Sequence, residues 1–187
     1  CGEGGDELFG GYGRYRSAIR PWWSYRRAMR SRGALDGLHI LREDSRDWRS
    51  GVAASERIAA ANGRSPLQTA QATDCADWLP HDLLIKLDRC LMAHGVEGRT
   101  PMLDPAIADA VFCLPDSFKI KGRTGKWILR KWLAEIVPVA KPFSRKRGFT
   151  VPVGEWILRK GDVLGPLVAR QAGILELCRP DRVESLF

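Results

Sequence analysis

Cys1-Gly2-Glu3-Gly4-Gly5-Asp6-Glu7-Leu8-Phe9-Gly10-Gly11-Tyr12 is the stretch on which the reading of this chain turns. Its five glycines are interleaved with three carboxylates and with the apolar pair Leu8 and Phe9. Glycine admits positive φ and lets backbone amides approach a ligand closely. Acids clustered in such a loop can hold a divalent cation, orient an amine or accept a proton. A plain linker would pair glycine with serine and lack the acids. An acidic, unstructured terminus is the competing reading on composition alone.

Around this loop, 187 residues with 44% apolar content are enough for one domain with a core of its own. A charged fraction of 28% and seven tryptophans argue against disorder. No run reaches the ~18 apolar residues needed to cross a bilayer, and no signal peptide is expected. The chain starts at Cys1, without an initiator Met and already inside the loop, so a portion of a longer polypeptide is expected. The cysteines (1, 75, 90, 113 and 178) are scattered, with no Cys-x-x-Cys pair. Most, as at Cys90 and Cys113, fall in apolar helical patterns. Buried free thiols in a reducing cytoplasm are therefore expected, and a zinc site is disfavoured. Net charge is +8, and the span from Lys119 to Arg147 holds ten Lys or Arg against Glu135 alone. Such a concentration points to an anionic partner (a phosphorylated small molecule, nucleic acid or a membrane surface) or to a solvated cationic face.

Caps and breakers punctuate a mostly helical pattern. Tyr15 to Ser31 reads as a helix bent at Pro21, and Asp47 to Asn62 as one ended by Asn62-Gly63. Ser65-Pro66 caps a helix to about Leu79, and His81-Asp82 starts another running to His94-Gly95. Asp104-Pro105 repeats the signal for a short helix ending near Leu114-Pro115. Thr124 is the expected cap of a helix over Gly125 to Val137, with Leu129, Trp132, Leu133 and Ile136 on one face. Helices also follow over Val153 to Lys160, Asp162 to Gln171 and from Pro180. Trp-Ile-Leu-Arg-Lys occurs at 127–131 and 156–160 with different flanks, which makes two similar amphipathic turns and no architectural repeat. Strand signals are almost absent.

Asp88 stands among Leu84, Ile85, Leu91 and Met92 at helical spacing, so its carboxylate is expected to be partly buried and to need a cation, a metal or a donor. A structural ion pair and a ligand role both satisfy that need. Lys86 has Asp82 at i−4 and sits on a polar face. Glu97 and Arg99 follow a helix end and can brace each other, while Asp104 has a sufficient role as a cap. In Ser144-Arg145-Lys146-Arg147-Gly148-Phe149, three cations precede a glycine and an aromatic, and preorganised cations of this kind can stabilise developing phosphate charge. Nucleic acid is disfavoured because the aromatics lie in helical stripes and are not interleaved with the cations.

Taken together, Glu3-Gly4-Gly5-Asp6-Glu7-Leu8-Phe9-Gly10-Gly11-Tyr12, Asp82-Leu83-Leu84 with Lys86-x-Asp88-Arg89 and Met92, Glu97-x-Arg99-x-Pro101-x-Leu103-Asp104, and Arg145-Lys146-x-Gly148-Phe149 resemble the synthetase domain of glutamine-dependent asparagine synthetases. Order and spacing match to about Trp156. The resemblance implies an α/β adenine-nucleotide α-hydrolase-like domain in the full protein, of which this chain is the predominantly α-helical C-terminal portion. It implies ATP and Mg²⁺, adenylation of the side-chain carboxylate of aspartate, and displacement of AMP by ammonia from a glutaminase domain. Residue by residue, Asp6 would be a Mg²⁺ ligand and Glu3 the base for incoming ammonia. Lys146, with Arg145 beside it, would bind the phosphates. Asp88 would be an inner carboxylate, and Gly2, Gly4 and Gly5 would let the loop approach substrate.

Two departures stand out. Cys1 replaces the family's usual serine, and the Ser-Gly-Gly-x-Asp-Ser phosphate loop and the glutaminase domain are not in this sequence, so the chain alone is expected to be inactive. Relatives that close amide rings after the same adenylation, β-lactam synthetases or peptide macrolactam cyclases, remain open, as does a non-catalytic basic module. No membrane partner is expected, and self-association into a homo-oligomer is left open.

Overall fold

The computed structural model describes residues 1–20, 31, 33, 35–43, 49–61, 63–144 and 151–187. The chain divides into two units: residues 1–29 with 50–144, and residues 30–49 with 145–187. The described residues are mostly helical, in keeping with the sequence expectation.

The first unit begins with the one-turn helix α1 (Gly5–Leu8), followed by α2 (Gly13–Ala18), α3 (Ser50–Ala60) and α4 (Pro66–Ala76). Ser65 starts α4 with a complete capping box: its Oγ accepts from the Gln68 amide at 3.1 Å, and the Gln68 side chain accepts from the Ser65 amide at 2.9 Å. After α4 the chain turns through a π-helical segment, Leu79–Leu84, into α5 (Ile85–Met92). His81-Asp82 therefore lies inside that wide turn and starts no helix of its own. A 3₁₀ turn at Pro101–Leu103 leads into α6 (Pro105–Phe112), whose Asp104 cap accepts from the Ala106 amide at 2.9 Å as expected.

Next come the short α7 (Asp116–Lys119) and a hairpin of β1 (Ile120–Lys121) and β2 (Thr124–Gly125), in which Ile120 faces Gly125 and Lys121 faces Thr124. The hairpin overturns the expected Thr124 cap. Thr124 and Gly125 are consumed by strand pairing, so α8 runs from Trp127 to Ile136 after Lys126, which has a left-handed φ of 54°. Arg130 on α8 donates from Nε to the Gly125 carbonyl at 3.0 Å and from Nη1 to the Pro142 carbonyl, fastening the helix to both its neighbours.

Two apolar clusters hold this unit. Tyr15, Leu67, Ala70 and Ile120 pack together, and Leu8, Phe9 and Val111 pack against Met102, Leu103, Ile128 and Leu129. The acidic turn thus lies between α4, α6 and α8 because Leu8 and Phe9 are buried there.

The second unit comprises α9 (Val153–Leu158), α10 (Gly161–Ala169), α11 (Ala172–Leu177) and α12 (Pro180–Glu184). Its core is Ile40, Ala169, Cys178 and Val183, and residues 40–42 are joined to 177–179 by Arg42 N–H to Leu177 O at 3.0 Å and Arg179 N–H to Ile40 O at 2.7 Å. Helices α7 and α11 had no counterpart in the sequence expectation. Pro21, Asp47, Asn62, Arg145 and Lys146 lie outside the described residues.

The cysteine expectation is corrected: Cys1, Cys90 and Cys113 are exposed, Cys75 is half-buried and Cys178 is buried. Cys90 belongs to α5, which has no buried residue, and Cys113 caps the end of α6. No helix among the described residues is long and apolar enough to cross a membrane.

Candidate functional site

Gly4, at φ 84°, turns the chain into α1, and a Cβ there would lie 2.1 Å from Leu103 Cδ2. Glycine is thus required on two counts. The residue expected to face substrate, Glu3, is half-buried; Gly2 is exposed, and Gly4 and Gly5 are buried. The Cys1 nitrogen donates to the Arg99 carbonyl at 2.7 Å, which joins the opening loop to the Glu97–Arg99 turn. In that turn Arg99 Nη2 meets Glu97 Oε2 at 2.9 Å, in the open, as the sequence suggested.

Asp6 pairs with Lys126, Oδ2 to Nζ, at 3.0 Å. Backbone geometry delivers the lysine: its amide donates to the Phe9 carbonyl at 3.0 Å, and its left-handed φ turns the side chain back along the loop. Gly11 makes room for the pair, since a Cβ on it would lie 1.8 Å from Asp6 Oδ1 and 2.5 Å from Lys126 Cε. Gly125 makes room for the backbone, because a Cβ there would be 2.2 Å from the Gly10 carbonyl oxygen.

A buried polar frame surrounds the turn. Glu7 accepts from the Tyr12 hydroxyl at 2.7 Å. Burial, and then this hydrogen bond, push the Tyr12 phenol well above its ordinary pKa. Asp74 on α4 accepts through Oδ2 from Arg14 Nε at 2.9 Å, Arg14 Nη2 at 2.7 Å and the Tyr15 hydroxyl at 2.7 Å. The Arg14 guanidinium also lies 3.9 Å over the Tyr12 ring. Burial, reinforced by the Asp74 charge, raises the Tyr15 phenol far above its usual range. Gln71, on the same face of α4, donates to the Glu7 and Leu8 carbonyls at 2.5 and 2.6 Å. These groups hold the acid-bearing backbone in one geometry, the preorganisation that electrostatic catalysis requires.

Asp88 is corrected. It is exposed on α5, where Ile85 is 41% and Met92 54% exposed. An apolar helical neighbourhood buries a carboxylate only when something packs over it, and that face of α5 stays open among the described residues. Lys86 does pair with Asp82, at 3.8 Å on the surface. Arg145 and Lys146 lie outside the described residues, so the structure brings together Gly2, Glu3, Gly4, Gly5 and Asp6.

Sequence reasoning overlooked Lys126, Gln71, Asp74 and Lys119. Gln71 and Asp74 had a signal: with Leu67 and Ala70 they fall at i, i+3, i+4 and i+7, which puts two polar residues on a core-facing stripe. Lys126 had none beyond its place in the basic span, because its pairing depends on a left-handed residue after a hairpin.

Among the described residues no group of three or more His, Cys, Asp or Glu converges. A closed all-protein metal cage therefore does not fit this region. One carboxylate with an ammonium beside it does fit the sparse coordination through which Mg²⁺ binds with substrate phosphates.

The family described as Asparagine synthase matches residues 1–187. A putative glutamine-hydrolyzing asparagine synthetase of Mycobacterium bovis is 31% identical over 201 residues, covering 87% of this chain and 31% of that protein. The corresponding Mycobacterium tuberculosis protein gives the same figures, 31% identity over 87% of this chain and 31% of its own length. Glutamine-hydrolyzing asparagine synthetase 1 of Bacillus subtilis is 27% identical over 196 residues, covering 83% of this chain and 31% of its own length. The chain spans about a third of the length of these relatives. No solved structure matches it significantly. With the glycine-lined acidic turn and a match along its whole length, the chain belongs to the asparagine synthase family.

Proposed function

We propose that this chain supplies the C-terminal part of the synthetase domain of a glutamine-dependent, ATP-consuming asparagine synthetase. The full domain would complete an α/β adenine-nucleotide α-hydrolase-like fold. A side-chain carboxylate oxygen of aspartate attacks the α-phosphorus of ATP, the bond to the bridging oxygen breaks, and pyrophosphate leaves β-aspartyl-AMP. Ammonia drawn from glutamine then adds to the acyl carbon and gives up a proton, and the acyl–oxygen bond to AMP breaks to yield asparagine.

In this reading Asp6 is a Mg²⁺ ligand, and the bound ion neutralises phosphate charge. Lys126 lies close enough to Asp6 to meet the same phosphates, and phosphate binding is assigned to Lys146 and Arg145 on the family resemblance of their motif. Glu3 takes the proton from ammonia, the glycines 2, 4 and 5 let the loop backbone approach substrate, and Asp88 faces substrate once its helix face is covered. The observation that carries the reading is the Asp6–Lys126 pair, seated in a space that Gly11 leaves open within a family match covering the whole chain.

The test is pyrophosphate release by the full-length protein with ATP, Mg²⁺ and either aspartate or other carboxylates. Aspartate is expected to be preferred; release with another carboxylate alone would redirect the reading to an amide-ring-forming relative. Lys146→Ala should abolish aspartate-dependent release with the fold intact, and near-normal turnover would remove that lysine. Glu3→Ala should spare adenylation and slow amide formation, so equal loss of both steps would refute the base role.

A further inference from the structure

Gln71 and Lys119 are completely buried, and neither belongs to the chemistry proposed above. Gln71 uses its whole amide. Nε2 donates to the carbonyls of Glu7 and Leu8 at 2.5 and 2.6 Å, and Oε1 accepts from Lys119 Nζ at 3.2 Å. Lys119 donates also to the Phe112 carbonyl at 3.0 Å, with its ammonium 5.2 Å over the Phe112 ring. The ammonium can only donate, so it dictates which end of the Gln71 amide faces it and directs the NH₂ end at the acidic turn. Glu7 and Leu8 end the single-turn α1, and carbonyls at a helix end lack acceptance within the helix. An amide carrying two hydrogens is the group that serves both.

We infer that Gln71, oriented by Lys119, is a positioning residue for the candidate site: it fixes the peptide planes of Glu7 and Leu8 and thereby sets where the adjoining Asp6 carboxylate lies against Lys126. The inference rests on Asp6 being the residue that meets a metal-bound phosphate. Gln71→Glu is the informative variant. The carboxylate keeps an acceptor for Lys119 but presents no hydrogen to the two carbonyls, so the core stays filled while the hold on the turn is lost. Lys119→Met leaves the donors in place and frees the amide to rotate, with a weaker effect in the same direction.

The test uses the full-length protein and two readouts that need no turnover. One is amide hydrogen exchange across residues 5–12. The other is Mn²⁺ affinity, by electron paramagnetic resonance, in the presence of α,β-methylene-ATP. Gln71→Glu should speed exchange in that segment and weaken Mn²⁺ binding about 10- to 100-fold, the range found when groups that orient a metal ligand are removed. Faster exchange with Mn²⁺ affinity within twofold of the parent would make Gln71 a scaffold residue and overturn the inference. Unchanged exchange would overturn it as well. Should Gln71→Glu fail to fold, Lys119→Met is judged by the same two measurements. A parent protein that binds no Mn²⁺ with the nucleotide would sink the reading of Asp6 itself, a different result from a loss confined to the variants.

Discussion

Gly11→Ala separates the geometry of the acidic turn from its stability. Gly11 is not among the residues with positive φ, so alanine fits the backbone without strain. Its Cβ would nevertheless stand 1.8 Å from Asp6 Oδ1, whereas real Cβ contacts stay beyond 3.0 Å, so the carboxylate must retreat by about 1.2 Å. The Lys126 Cε, 2.5 Å away, must move too. Asp6 and Lys126 are 25% and 29% exposed, so losing their pair costs less than about 1 kcal/mol. Replacing glycine by alanine returns about 0.4–1 kcal/mol through the unfolded chain. Urea denaturation of the full-length protein should therefore shift little. A displacement of about 1 Å in a reacting constellation costs roughly 10²-fold, and aspartate-dependent pyrophosphate release should fall by about that much. Gly10→Ala is the contrast. Its φ is 71° and its Cβ would lie 2.8 Å from Ile120 Cγ1 in the core, so it should lose about 1–3 kcal/mol of stability. Gly11→Ala with pyrophosphate release within threefold of the parent, at unchanged stability, would refute the claim that this glycine clears space for a working carboxylate.

Two further outcomes follow from the buried frame. Asp74→Ala strands Arg14 and the buried Tyr15 hydroxyl, so it should destabilise by about 3–5 kcal/mol in denaturant titration; a loss under about 1 kcal/mol would show that the network carries little stability. The Cys75 thiol is pushed up to about 12 by burial and by the charges of Glu7 and Asp74, so iodoacetamide at pH 8 should label exposed Cys90 and Cys113 and spare Cys75. The unfolded thiol ionises first, near 9.0, so the same group withdraws stability as pH climbs from there toward 12; Cys75 alkylated as fast as Cys90 would contradict this.

The local elements legible in the sequence were those whose signals lie within a turn of the residues they govern. Ser65 and Asp104 cap α4 and α6 because a side-chain oxygen needs only the amides two or three positions ahead. Glu97 and Arg99 pair because they are two residues apart. Thr124 failed as a cap because pairing with Lys121 in a tight hairpin, as local a contact as the cap itself, claimed it first. Asp88 failed as a buried acid because periodicity tells which residues share a helix face but not what lies against that face.

On its own, the sequence determined that this is a mostly helical chain with a glycine-lined acidic turn, and its motif order placed it in its family. Those properties depend on residue type and short spacing. Tertiary structure decided which groups meet that turn: Lys126 at Asp6, Tyr12 at Glu7, Gln71 at the two helix-end carbonyls and Lys119 behind it. The pairing of Lys126 with Asp6, of Gln71 with the Glu7 and Leu8 carbonyls and of Lys119 with Gln71 each joins residues more than forty positions apart. No local preference specifies such a meeting, since it exists only once Leu8 and Phe9 bury themselves and carry the acids into the frame.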